Sequence, residues 1–158
     1  MNIVDSPSPN QGDRPAGITP SLIVIHGTVG SDAGDLSHIR NSASQVSYHY
    51  LVQRDGTIHR LVRPERRAWH AGKSTWRGVS DVNDYSIGIG LSNMGGPEQF
   101  TNAQYESAGW LCAVLMREYG ISAENIVGHY HISPGRKTDP WYTFEWGRLF
   151  ARIADAST

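Results

Sequence analysis

Residues 21–25 read SLIVI and are closed at once by His26, Gly27 and Thr28. A continuous apolar run of this length, ended by a turn, fits a strand buried on both faces. Such a strand needs covering layers on both sides, and it delivers His26 to the end of the strand. Residues 85–92 (YSIGIGLS) predict a second central strand, in which Gly88 and Gly90 allow close approach of a neighbour. Residues 125–128 (NIVG) predict a short third strand that ends at His129.

Other segments supply the remaining layers. Residues 46–53 (VSYHYLVQ) and 57–62 (TIHRLV) flank Arg54-Asp55-Gly56, a strong hairpin signal. Strict alternation there would put Val46, Tyr48, Tyr50 and Val52 on one face and Ser47, His49 and Leu51 on the other. Thr101 with Gln104 fits a capping box, and Gly120 fits the position past the helix end. Between them Tyr105, Ala108, Cys112, Leu115 and Tyr119 recur at helical spacing. A short helix is expected over 31–43 and a last one over 143–154, with Trp146, Leu149, Phe150 and Ile153 inward. Residues 63–84 lack periodicity and read as a long surface loop. The first 20 residues, with Pro7, Pro9, Pro15 and Pro20, read as an extended arm packed on or hanging from a single domain over 21–158. Interleaved strands and helices with one hairpin predict an α/β fold, a mixed central sheet flanked by helices.

Composition excludes several classes. Across 158 residues, 14 Lys+Arg against 15 Asp+Glu leave a formal charge of -1, which excludes a nucleic-acid binder working through bulk positive charge. One Cys excludes an internal disulfide framework. No apolar run approaches the roughly 20 residues of a membrane span. The opening MNIVDSPSPNQGDRP lacks the basic and apolar regions of a secretory signal. A monomer without nucleic-acid or membrane partners is expected.

Chemistry concentrates in residues 128–140, GHYHISPGRKTDP. In an extended loop Lys137 and Asp139 would point the same way. His26 and His129 would meet if their strands are neighbours, at the sheet edge where sites in open α/β folds lie. Two imidazoles and a carboxylate with an open position form a hydrolytic zinc arrangement. His131 is the rival ligand to His129. His49 reads as a packed histidine, and His38 and His59 as surface residues.

The segments IVIHGT (23–28), VSYHYLVQRDGTI (46–58), RAWHAG (67–72), NDYSIGI (83–89) and GHYHISPGRKTDP (128–140) together resemble the zinc N-acetylmuramoyl-L-alanine amidases. That family includes the muropeptide-recycling amidases, the phage-type lysozyme amidases and the peptidoglycan recognition proteins. The resemblance runs from about residue 23 to 150. It implies cleavage of the amide between N-acetylmuramic acid and L-alanine, with Zn2+ held by His26, His129 and Asp139. It implies catalytic roles for Lys137 and Tyr48, the latter as in the phage-lysozyme branch. Trp69, Trp76, His70 and Arg136 are expected to contact peptidoglycan or muropeptides.

One departure stands out. The recycling branch reads IGIE where this chain reads Ile87-Gly88-Ile89-Gly90, so the Glu expected as general base is absent. The gap would leave a side-chain-sized space beside the metal. Tyr48 therefore favours a lytic endolysin made in the cytoplasm and reaching the wall on lysis or by a holin. The alternatives are cytosolic recycling of anhydro-muropeptides and a non-catalytic peptidoglycan-binding module.

Overall fold

The computed structural model describes residues 1–158. In chain order the strands and helices are β1 (Ile3–Asp5), β2 (Gln11–Asp13), β3 (Leu22–Gly27), α1 (Asp32–Arg40), β4 (Tyr50–Val52), β5 (Ile58–Arg60) and β6 (Arg66–Ala68). There follow β7 (Thr75–Trp76), β8 (Val79–Ser80), β9 (Ser86–Leu91), α2 (Asn102–Tyr119), β10 (Ile126–Gly128), α3 (His129–Ile132) and α4 (Trp146–Ala156). Six strands form one sheet in the order β1-β5-β4-β9-β3-β10. All its pairings are parallel except the β4–β5 hairpin, which makes the sheet mixed.

Alternation along β3 sorts its side chains. Ile23 and Ile25 join the larger core beneath α2 and α4, whereas Leu22 and Val24 join a smaller cluster on the opposite face. The same rule puts Ile87, Ile89 and Leu91 of β9 under the helices and leaves Gly88 and Gly90 on the other face, with His26. Helix α2 begins at the Thr101–Gln104 capping box and ends at Gly120, whose φ of 66° is left-handed. Its buried side includes Tyr105, Ala108, Cys112 and Leu115, as the spacing predicts.

The proline-rich arm is packed on the domain. β1 lies parallel to β5 at the sheet edge, and β2 pairs antiparallel with β6. The Asn10 amide donates to the carbonyls of Ile39, Asn41 and Val46 at 3.1, 3.0 and 2.9 Å. Those contacts supply the hydrogen bonds that the neighbouring prolines cannot make.

Several expectations change. Residues 63–84 form a covering layer on the sheet face opposite α2 and α4, with Ala68, His70, Ala71 and Val82 buried. The final helix starts at Trp146 rather than at residue 143, and His129–Ile132, at the start of the segment read as an extended loop, form α3. Alternation breaks before β4. Leu61 and Val62 both donate their N–H to the His49 carbonyl, at 2.8 and 3.4 Å. The backbone bends at His49, so that Tyr50 and Val52 face the helices while Tyr48 packs with Leu51 on the far side. His59 is buried rather than at the surface, bonded to Ser6 Oγ at 2.8 Å because β1 covers it.

Candidate active site

The sheet register builds the site. Val24 and Ile25 of β3 pair with Val127 and Gly128 of β10, so His129, one residue further, stands beside His26. On the other side of β3, His26 pairs with Gly90 of β9. Asp139 is returned to this point by its loop: Tyr130 N–H donates to the Asp139 carbonyl at 3.1 Å, and Gly27 N–H donates to Asp139 Oδ2 at 3.2 Å. Ligand atoms of His26, His129 and Asp139 lie within 4.8 Å of one another, and all three residues are buried. His26 Nδ1 is 3.0 Å from His129 Nδ1 and 3.5 Å from Asp139 Oδ2, and His129 Nδ1 is 3.2 Å from Asp139 Oδ1.

The outward ring nitrogens are engaged elsewhere. His129 Nε2 lies 3.0 Å from the Ala71 carbonyl. A carbonyl only accepts, so Nε2 carries the proton and the Nδ1 lone pair points into the site. Burial holds the His26 imidazole down to about 4, against the smaller opposing pull of Asp139. Burial alone would raise the Asp139 carboxyl, but its close contacts with the imidazoles of His129 and His26 hold it well below the usual carboxylate range. Neutral imidazoles and an ionised carboxylate are the states a divalent cation requires of its ligands.

The centre opens into a cleft of about 430 Å³ lined by Tyr48, Trp69, His70, Arg136 and Lys137 among others. The Tyr48 ring centroid stands 5.0 Å from that of His26. A Cβ on Gly90 would lie 2.7 Å from Tyr48 ring carbons. The expected empty space beside the centre is therefore filled by the Tyr48 ring. Burial, and then the charges of Asp139 and Asp35, raise the Tyr48 phenol above its usual range, so the hydroxyl keeps its proton. Lys137 is exposed on the cleft wall. Arg136 lies there too, but its Nη2 donates to the carbonyls of Ala71 and Lys73 at 2.7 and 3.1 Å, joining two loops.

Trp76 does not reach the cleft. It packs against the cluster of Leu22, Val24, Ala71, Val82, Val127 and Ile132, because the β7–β8 ribbon turns it toward the sheet. His131 is exposed, and its Nδ1 accepts from Gly128 N–H at 2.8 Å, closing the start of α3 away from the centre. His38 is exposed at the cleft rim, and His49 is fully buried.

Two residues here carried no assigned role in the sequence. Asp35 lines the cleft, buried, and accepts from the Thr28 hydroxyl. The signal was faint, since Asp35 is a first-turn acid of α1 and only tertiary packing brings it to the cleft. Asn83 Oδ1 accepts from His70 and Ala71 N–H at 3.1 and 2.8 Å. Its place in NDYSIGI was visible, but its partner segment was not.

A family model described as N-acetylmuramoyl-L-alanine amidase matches residues 16–142. The chain belongs to that amidase family. The amidase AmpD of Salmonella typhimurium, a 1,6-anhydro-N-acetylmuramyl-L-alanine amidase, is 36% identical over 96% of this chain and 90% of that protein. AmiD of Escherichia coli is 38% identical over 81% of this chain and 51% of its own length. A crystal structure of a selenomethionine AmpD derivative superposes with a TM-score of 0.84 at 34% identity, covering 95% of this chain and 93% of that one. The Clostridium intestinale amidase LysC shares the fold, with a TM-score of 0.75 at 23% identity over 98% of each chain.

This amidase is thus an enzyme of N-acetylmuramyl-L-alanine bonds, not solely a binding module. The lytic, endolysin-type reading is not the one that these similarities favour, because the relatives with higher identity over most of both chains are anhydro-muropeptide amidases. No helix is long and apolar enough to cross a membrane. The buried His-His-Asp donor set fits zinc in type, number and protonation.

Proposed function

We propose that this amidase hydrolyses the bond between the lactyl group of N-acetylmuramic acid and L-alanine in anhydro-muropeptides, a recycling role, with a zinc ion held by His26, His129 and Asp139. The observation that carries the reading is the convergence of two imidazole Nδ1 atoms and a carboxylate on one buried point at the floor of a cleft. Zinc in such a ligand set supplies an activated water, with a pKa brought toward about 7, and a polarised carbonyl.

The remaining work falls to the chain. Hydrolysis puts the hydroxide of one water on the lactyl carbonyl carbon and its proton on the alanine nitrogen. Negative charge develops on the carbonyl oxygen as the carbon becomes tetrahedral. Lys137, two residues from Asp139 and on the same wall, supplies a cation for that oxygen. Tyr48 stands against His26 with a neutral phenol, which orients the attacking water or hydrogen-bonds the tetrahedral intermediate. Trp69 offers a half-buried indole face to the sugar, since aromatic walls suit saccharide rings.

The test is product analysis on two substrates, a purified anhydro-muropeptide and intact peptidoglycan sacculi, with metal content measured on the same preparation. Release of free stem peptide from the anhydro-muropeptide at a kcat/KM well above that on sacculi is expected. Faster release from sacculi would move the assignment to a lytic role. No release from either, with zinc bound, would overturn it.

A further inference from the structure

His70 was expected to face the substrate, yet its polar atoms face inward. Its Nδ1 lies 2.9 Å from His26 Nε2, and its Nε2 lies 3.0 Å from the hydroxyl of the fully buried Ser86. The two imidazoles meet edge to face, with centroids 5.0 Å apart at 87°. Two features hold the ring in place. Asn83 Oδ1 accepts from the backbone N–H of His70 at 3.1 Å, which fixes the residue, and Gly88 admits the imidazole, since a Cβ there would fall 2.4 Å from it. Only a glycine on that face of β9 leaves room for the ring.

We propose that His70 is a positioning residue that sets the tautomer of His26. Its Nδ1 accepts the His26 Nε2 proton, and its own Nε2 proton goes to Ser86 Oγ. The His26 Nδ1 lone pair is then kept toward His129 and Asp139. The inference rests on the zinc reading of those three residues.

The need for such a group follows from the geometry. A neutral imidazole carries one proton, and either nitrogen can hold it. With nothing behind it, His26 would place the proton on Nδ1 and donate across 3.0 Å to His129 Nδ1, which removes a ligand from the centre. An acceptor fixed at Nε2 reverses that preference. The partner that orients a ligating histidine governs metal affinity in this way. Ser86 suits the end of the chain because a hydroxyl accepts the His70 proton and still has its own to place.

The experiment measures zinc affinity by competition with a chromogenic chelator, alongside long-range proton–nitrogen NMR of the histidine rings. Parent, His26→Ala, His70→Leu, His70→Asn and Ser86→Ala are compared. The parent should bind one zinc and His26→Ala none; a parent without zinc would defeat the ligand reading, whatever His70 does. His70→Leu should bind about 10–100-fold more weakly, with the Nδ1-protonated form of His26 rising in the metal-free spectra. His70→Asn, whose amide oxygen can stand where Nδ1 stood, should recover most of the affinity. If His70→Leu does not fold, the Asn and Ser86→Ala variants decide. Near-parent affinity in His70→Asn with weaker binding in Ser86→Ala supports the relay, and parent-like tautomer and affinity in Ser86→Ala overturn it. Parent-like affinity and tautomer in a folded His70→Leu, or a folded Asn variant as weak as Leu, would also overturn it.

Discussion

Replacing Gly90 with Glu restores the carboxylate found in the recycling branch, and the structure sets what that change does. A Cβ at residue 90 would lie 2.7 Å from the Tyr48 ring, inside any ordinary carbon contact, and Glu adds four more heavy atoms beyond it. Overpacking of this kind costs about 1–3 kcal/mol. For a chain of this size each kcal/mol lowers the melting temperature by roughly 2–4 °C, so Gly90→Glu should fall by about 2–12 °C. It should not gain activity, because Tyr48 holds the space the carboxylate needs. Tyr48→Ala vacates that space. In that background Gly90→Glu should cost about 1 kcal/mol less than in the parent, within the range of coupling energies for touching residues. It should also return part of the activity that Tyr48→Ala loses. The assay is a four-protein cycle, measuring urea denaturation and hydrolysis of a muropeptide for parent, both single variants and the double variant. Stability changes that add to within about 0.5 kcal/mol would refute the steric argument. A parent without activity that gains it from Gly90→Glu alone would refute the role given to Tyr48.

Three further expectations follow from particular residues. Lys137→Ala should retain zinc and lose about 10²–10³-fold in kcat if the ammonium meets the developing oxyanion; near-parent turnover would make it a solvated loop charge. His49 is fully buried, accepts from Gly88 N–H at 3.0 Å and donates to the Arg66 carbonyl at 2.8 Å, beside the Arg14 guanidinium. Burial holds it down to about 3. The unfolded chain takes up this proton below about pH 6.5 and the folded chain does not, so stability falls as pH drops from about 6.5 toward 3 by about 1.4 kcal/mol per pH unit. His49→Gln should flatten the acid limb of a stability–pH curve by that slope, and an unchanged limb would contradict the neutral assignment. Trp76→Ala should leave KM unchanged and lower stability by less than the roughly 3–5 kcal/mol of a fully buried Trp; a raised KM would return Trp76 to the cleft.

Local signals reached far in this chain. The capping box at Thr101, the glycine at 120 and the aliphatic run in β3 are decided by hydrogen bonds and burial within a few residues, so they are legible from neighbours alone. The family motifs mark out His26, His129 and Asp139, two of them at strand ends and the third beside Pro140. What the one-dimensional pattern could not carry is which segments meet across the sheet. Strict alternation puts Tyr48 on the face of Tyr50, but the bend at His49 turns it to the other face. In the sequence Gly90 reads as a missing side chain, and in the fold the Tyr48 ring stands in its place. His70 and Trp76 come from one aperiodic segment, yet one turns in to the buried side of His26 and the other packs under a ribbon. The sequence determined the donors and the strands that bear them. The tertiary structure decided the face, the neighbours of each ring nitrogen and the occupant of each gap, because those depend on contacts between residues tens of positions apart.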